Sequence, residues 1–88
     1  MYGKCEICEK WANLHRHHVF MGNKQRSISE RYGAVMFLCP ECHTEGKASV
    51  HKNRVVRLWT QEEMQKKLMK EHNWTEQDFI RIFGRNYL

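Results

Sequence analysis

The pattern of hydrophobic and polar positions predicts two strands in the first half of the chain. Residues 12–20, ANLHRHHVF, lack helix-capping signals and end at Met21-Gly22, which predicts a first strand. Residues 22–33, GNKQRSISERYG, are polar, basic and bounded by glycines, so we expect a long exposed loop there. The apolar run AVMFLC that follows predicts a second, buried strand. Together these segments predict a hairpin with a long connection.

Helical spacing replaces this pattern further along the chain. Hydrophobic positions between residues 55 and 72 fall mostly on one stripe, which favours a single helix that starts near Ser49. Thr60 and Glu63 also have the spacing of a capping box, so a separate helix beginning at Thr60 stays open as an alternative. Several aromatic residues follow helical spacing and are therefore expected in the core or packed against the tail, with base-stacking platforms as the alternative: Trp59, Trp74, Phe79, Phe83 and Tyr87.

The last helix has signals at both ends. Thr75 and Asp78 have the arrangement of a capping box, and Gly84 stands where a C-terminal cap is expected. This pattern predicts a helix over residues 75–83.

The chain is short enough to need a source of stability besides its core. Its 88 residues, of which 41% are hydrophobic, suffice for one small domain, in which a core alone gives marginal stability. The sequence shows no repeat or linker, so residues 1–88 are predicted to form a single domain. We expect the core and its additional source of stability at 5–57, and a helical C-terminal extension at 58–88.

Charge and the N-terminal sequence indicate the kind of partner and the cellular compartment. A net charge of +5 favours nucleic acid or another polyanion as partner. The start, MYGKCEICEKW, has no apolar run resembling a signal peptide, and no stretch is long enough to cross a membrane. We therefore expect a cytoplasmic protein, in which paired cysteines serve as metal ligands more often than as disulfides.

Two CxxC pairs predict one structural zinc ion, bound by Cys5, Cys8, Cys39 and Cys42. Each pair presents two sulfurs on a tight turn, and two such turns complete the tetrahedral coordination of zinc. Since both predicted strands lie between the pairs, the metal would clamp the base of the hairpin.

Other interpretations of these cysteines carry less weight. One CxxC can be redox-active, but two in one short chain indicate metal binding instead. CPECH also matches the CxxCH pattern of haem attachment, although no export signal accompanies it and the first CxxC would stay unexplained.

Five of the six histidines lie between positions 15 and 51. On a strand, His17 and His18 face opposite sides, so one can bind a metal while the other reaches a substrate only if the strand end twists or bends. His51 lies at the expected start of the helix, so His43 and His51 could approach His17 and form an open site of three imidazoles if the helix packs across the hairpin. Imidazole suits Zn, Ni, Cu and Fe better than Mg, which leaves the metal open. Alternatively, several of these histidines only fill a polar surface.

These motifs resemble the HNH, or ββα-metal, endonucleases. The resemblance rests on His17-His18, a loop, a strand ending in LC, then CH and a later histidine, and the four cysteines match the zinc-bearing branch. The spacing from Cys42-His43 to His51 and the ending FIRIFGRNYL are similar to small bacteriophage HNH proteins and to phage recombination-enhancement nucleases. The resemblance covers nearly the whole chain, but its specific motifs lie within residues 5–51.

The resemblance implies a fold, an origin and residue roles. The implied fold is a small α+β zinc-stabilised domain. It consists of a treble-clef-like ββα-metal hairpin plus helix, followed by C-terminal helices. The implied origin is bacterial or phage. His17, His43 and His51 would bind a catalytic divalent metal (Mg²⁺, Mn²⁺, Ni²⁺ or Zn²⁺), and His18 would be the general base.

The sequence departs from the family pattern at two points. The Asn that usually precedes the LC strand falls near Ala34, so a backbone carbonyl, or less readily Asn53, would orient the ring of His18. His43 and His51 are also further apart than one helical turn, so His43 is either a metal ligand or a structural residue.

The resulting hypothesis is a metal-dependent endonuclease that hydrolyses phosphodiester bonds in DNA, by nicking or by cutting both strands. Weak sequence preference is expected because no base-reading helix is evident, so specificity would come from a protein partner. Two chains could also pair as a homodimer to cut both strands. Phosphate contacts are expected from basic residues near the site: Lys24, Arg26, Arg31, Lys47, Lys52, Arg54 and Arg57. The alternative is a non-catalytic zinc-binding module for nucleic acid or protein.

Overall fold

Two antiparallel hairpins are present in the computed structural model, which describes residues 1–88 apart from the side chain of Asn23. The paired strands are β1 (Tyr2–Lys4) with β2 (Trp11–Asn13), and β3 (His15–His18) with β4 (Val35–Leu38). The single strand predicted at 12–20 is wrong, because Leu14 separates two strands that pair with different partners. The second predicted strand is confirmed as β4.

The connection between β3 and β4 is a helix, α1 (Asn23–Tyr32), so the exposed loop predicted at 22–33 is wrong. Gly33 ends the helix with φ 74, a left-handed conformation that glycine adopts without a Cβ clash. Ile28 and Tyr32, one turn apart, pack against the main core and hold the helix on the hairpin. The many polar residues of this segment form the solvent face of a helix.

Beyond β4 the chain makes a short π-helical turn (Glu41–Glu45) and then forms α2 (Arg54–His72). The single long helix is confirmed, but it begins at Arg54 and not near Ser49, because the side chain of Asn53 caps its first turn. The separate start at Thr60 is wrong. The hydroxyl of Thr60 donates to the carbonyl of Arg57 inside the continuous helix.

The third helix, α3 (Glu76–Phe83), confirms the prediction for the C-terminal segment. Thr75 and Asp78 form both hydrogen bonds of the capping box. Gly84 ends the helix in the left-handed conformation, with φ 80. Local capping chemistry therefore sets both ends of this helix.

Two groups of buried residues lie in the fold. The main core joins the hairpin to the helices and contains Val19, Phe20, Ala34, Met64, Leu68, Phe79 and Phe83. A smaller cluster contains Cys5, Leu38, Cys39 and Val50. The expectation for Trp59 is wrong, since 48% of its surface is exposed. The predicted division after residue 57 falls within α2, which connects the two parts without a break.

The architecture is therefore a small, compact α+β fold of two hairpins and helices. Among the described residues, no helix combines the length and apolar character needed to span a membrane.

Candidate metal centres

The two CxxC segments meet beside the β3–β4 hairpin. Cys5 and Cys8 lie in the connection between β1 and β2, Cys39 directly follows β4, and Cys42 lies in the π-helical turn. The four sulfurs are all within 4.8 Å of one another. These four residues, the cysteine cluster, are brought together as the sequence predicted.

The spacing within the cysteine cluster fits a tetrahedral metal site. The Sγ atoms of Cys8 and Cys39 are 3.7 Å apart, and zinc with Zn–S bonds of about 2.3 Å requires sulfurs about 3.8 Å apart. The backbone N–H of Cys42 points at Cys39 Sγ, with 3.4 Å between N and S. Cys5 and Cys39 are buried beside Leu38, whereas Cys8 is exposed, so the cluster lies at the edge of the smaller buried group and offers a metal four sulfur ligands.

Ionisation of these thiols differs from one cysteine to the next. Burial opposes ionisation of Cys5, but backbone N–H groups, led by that of Cys39, lower its pKa to about 6. Burial raises the pKa of Cys39, and burial together with the neighbouring thiols raises that of Cys42. Several thiolates in one place repel one another, and a bound divalent cation would offset that repulsion.

Three histidines, one of them next to Cys42 in the sequence, form a second group. One ring nitrogen from each of His17, His43 and His51 lies within 4.8 Å of the others, and we name this group the histidine cluster. The Nε2 atoms of His43 and His51 are 3.1 Å apart. His51 precedes α2 instead of starting it, which corrects the predicted position.

The backbone explains how two histidines so far apart in sequence can meet. The N–H groups of Val50 and His51 donate to the carbonyls of Cys42 and His43, at 2.9 and 3.3 Å. This pairing folds the segment after the π-helical turn back on itself. The spacing that departs from the family pattern is therefore compatible with a shared site.

The histidine cluster has the chemistry of a metal site. Nε2 of His17 is buried and has no hydrogen-bond partner among the described residues. Burial, together with His43, His51 and His18, lowers the pKa of His17 to about 4. Burial and the neighbouring His51 and His15 also lower the pKa of His43. Low pKa values keep these rings neutral, which is the form that binds metals.

His15 contacts the histidine cluster, although no role was predicted for it. Its Nδ1 lies 3.0 Å from Nδ1 of His43. A hydrogen bond there fixes the His43 ring so that Nε2 faces His51. A signal was present in the sequence, because His15 and His17 are two positions apart and share one face of a strand.

His18 lies on the other face of β3, as its alternation with His17 predicted. Its Nε2 is 2.8 Å from Oε2 of Glu30 in α1. The expected backbone carbonyl is therefore replaced by a carboxylate, because the segment after β3 is a helix that covers this face. Asn53 is engaged in capping α2 and does not substitute either.

Glu30 is held from a second side by Arg16. The guanidinium donates to both carboxylate oxygens, with Nε 3.2 Å from Oε2. Hydrogen bonds from Arg16, and then from His18, lower the pKa of Glu30, so the group is a carboxylate at neutral pH. Glu30 was missed because its segment was assigned to a loop, although Ile28 and Tyr32 have helical spacing between two glycines.

The two faces of β3 meet at one cleft. A cavity of about 250 Å³ is lined by Arg16, His17, His18, Met21, Arg26, His43 and His51. A neighbouring open depression continues past His18 to Arg26 and Arg31. The histidine cluster, His18 and arginine side chains therefore all face one accessible space.

The other predicted phosphate-binding residues do not line this cavity. Lys52 Nζ donates to the carbonyl of Glu45, and Arg57 donates to that of Val50, so both help to hold the turn around the histidine cluster. Lys24, Lys47 and Arg54 are exposed.

Comparison with known proteins finds no matching family model, no matching curated protein and no matching solved structure.

Proposed function

We propose that this protein is a metal-dependent HNH endonuclease that hydrolyses phosphodiester bonds in DNA. The observation that supports this most is the shared cleft, onto which His18 opens from one side and the histidine cluster from the other. A candidate base, a candidate metal site and cationic side chains within one cleft are the parts that phosphodiester hydrolysis needs.

The cysteine cluster is proposed to bind structural zinc. Four sulfurs at tetrahedral spacing and no open coordination position are typical of such sites. The zinc would fix Cys42, and with it the neighbouring His43, against the end of β4. It would thus support the histidine cluster without taking part in the reaction.

The protein's own groups would act on a phosphodiester in the cleft. Arg26 would attract the phosphate, and His18 would accept a proton from the attacking water. His17, His43 and His51 would hold a divalent metal, which supplies electrostatic stabilisation of the charge on the phosphoryl group and on the departing 3′ oxygen. Three imidazoles without a carboxylate favour Zn²⁺ or Ni²⁺ over Mn²⁺ and Mg²⁺.

Plasmid cleavage tests this proposal. Purified protein is incubated with supercoiled plasmid and Mg²⁺, Mn²⁺, Ni²⁺ or Zn²⁺, comparing the wild type with His17→Ala, His18→Ala and the control His72→Ala, which lies outside the cluster. We expect His18→Ala to lower the rate by about 10²- to 10⁴-fold, His17→Ala to abolish metal-dependent cutting, and His72→Ala to cut like the wild type. Equal rates in all four proteins, or no cleavage with any metal, would refute the proposal.

A second candidate is a non-catalytic zinc-binding module for nucleic acid or protein. It is favoured by an exposed aromatic pair on the first hairpin, where Tyr2 and Trp11 are 65% and 60% exposed and stack with ring centroids 5.9 Å apart. DNA binding with no cleavage in any metal would support this candidate.

A further inference from the structure

We propose that Glu30, anchored by Arg16, is a positioning residue that fixes the ring of His18 with Nδ1 free to accept a proton. This inference rests on the proposed nuclease function and assigns a residue that the family resemblance does not supply. The arrangement is a line of contacts from Arg16 through the Glu30 carboxylate to His18.

The direction of the hydrogen bond follows from the chemistry of its partners. A carboxylate can only accept, so the proton between His18 Nε2 and Glu30 Oε2, 2.8 Å apart, belongs to the imidazole. In a neutral imidazole one nitrogen carries the proton and the other is bare. Nδ1 of His18 is therefore the nitrogen left to act as a base.

The strand explains why Arg16 and His18 share this carboxylate. Residues two apart on a strand face the same side, so Arg16 and His18 both point at α1. His17 points to the other side, where it meets the other two members of the histidine cluster. α1 places Glu30 over that side. One strand thus separates the group that binds the metal from the group that accepts the proton.

Arg16 is itself held in place. It lies opposite Phe37 in the register of β3 and β4, and its guanidinium sits 5.7 Å from the centre of the Phe37 ring. Because the guanidinium engages both oxygens of Glu30, rotation of the carboxylate is restricted. A restricted carboxylate in turn restricts the His18 ring.

Fold stability does not account for these contacts. The side chains of Arg16 and Glu30 are each 50% exposed, and exposed ion pairs contribute little to folding. A single helix residue that contacts both a cation and the candidate base is better explained by orientation of the ring. The analogous arrangement in other enzymes pairs a carboxylate with the catalytic histidine to set its tautomer.

The test compares Glu30→Ala and Glu30→Gln with Glu71→Gln. Glu71 is a matched control because it is 51% exposed and pairs with Lys67 on α2, away from the cleft. Three quantities are measured on the metal-loaded protein: kcat and KM for plasmid cleavage, the thermal midpoint, and the His18 ring tautomer from ¹H–¹⁵N NMR correlations.

We expect Glu30→Ala to lower kcat by about 10- to 100-fold, with KM and the thermal midpoint close to those of Glu71→Gln. Glu30→Gln retains an oxygen acceptor and should recover part of kcat. The wild-type ring should carry its proton on Nε2, and in Glu30→Ala the two tautomers should mix.

Each other outcome contradicts a defined claim. Full kcat in Glu30→Ala while His18→Ala is inactive, or a wild-type His18 ring protonated on Nδ1 alone, would overturn the role of Glu30 and leave the nuclease proposal standing. Wild-type activity in His18→Ala would overturn the proposed function, and the positioning role with it.

Discussion

The cysteine cluster offers a metal four protein ligands, whereas the histidine cluster offers three and opens onto a cleft. Cys5 and Cys39 are 0% and 2% exposed and pack with Leu38 and Val50. In the histidine cluster only His17 is buried, and His43 and His51 border the cavity. Closed four-ligand sites typically stabilise a fold, while sites with three protein ligands and an open position perform chemistry. Under the proposed function, these two groups of side chains, which share one turn, would have different roles.

The largest effect is expected from breaking the closed site. Cys39→Ser should remove the metal from the cysteine cluster and unfold the hairpins, since structural zinc contributes about 10 kcal/mol or more to the folding of small zinc domains. Metal analysis and circular dichroism would measure this loss. The wild-type protein treated with a chelator should unfold in the same way and should refold when zinc is added back. A metal-free protein with an unchanged circular dichroism spectrum would contradict the structural zinc site.

Removing a ligand from the open site should act on activity and spare the fold. His51→Ala is expected to lose the metal of the histidine cluster. The rate of plasmid cleavage should fall by roughly 10²-fold or more, because several kcal/mol of transition-state stabilisation by the metal would be lost. Its thermal midpoint should stay near that of the His72→Ala control. Unfolding of His51→Ala to the same extent as Cys39→Ser would erase the distinction between the clusters.

A smaller effect is expected at His15, which contacts a ligand instead of the metal. His15→Ala should weaken metal binding at the histidine cluster by about 10- to 100-fold, because the Nδ1 of His43 loses its partner. Calorimetric titration with Ni²⁺ would measure this change. The cysteine cluster should retain its zinc, and an unchanged Ni²⁺ affinity would show that His15 does not orient His43.

The smallest effect concerns pH and His17. Its pKa falls from the ordinary 6.5 to about 4 in the folded state, with burial as the first cause. The unfolded chain therefore binds more protons than the folded one between these values, so stability is fully present above 6.5 and is lost as pH falls toward 4. In protein without metal at the histidine cluster, this should amount to about 1.5 kcal/mol between about pH 6.5 and pH 5.

Urea denaturation at several pH values would measure this dependence. The matched variant is His17→Gln, which has no titrating group at that position and should show a shallower loss of stability on acidification. Identical slopes for the wild type and His17→Gln would contradict the buried, neutral state of His17.

The sequence predicted features that depend on local signals. Two CxxC pairs in one short chain are typical of a metal site, which is why all four members of the cysteine cluster were predicted. The capping box at Thr75 defined the start of α3 without any tertiary information. The alternation of His17 and His18 likewise followed from strand geometry alone.

The features that the sequence did not reveal depend on tertiary packing. α1 was missed because its polar residues outnumber its apolar ones, and tertiary contacts, among them the packing of Ile28 and Tyr32 on the main core, stabilise it as a helix. Glu30 was missed for the same reason, because it contacts Arg16 and His18 of β3 only once α1 has folded over the strand. Trp59 has helical spacing but lies on the exposed face of α2.

The most direct test of two metal sites with different roles is plasmid cleavage followed against metal content. Protein prepared with one zinc per chain is titrated with Mn²⁺ or Ni²⁺, and the cleavage rate is recorded at each ratio. The proposal predicts almost no cleavage with the first metal alone and a rise that saturates as a second equivalent binds. Full cleavage with a single zinc per chain, or none after the second metal has bound, would contradict it.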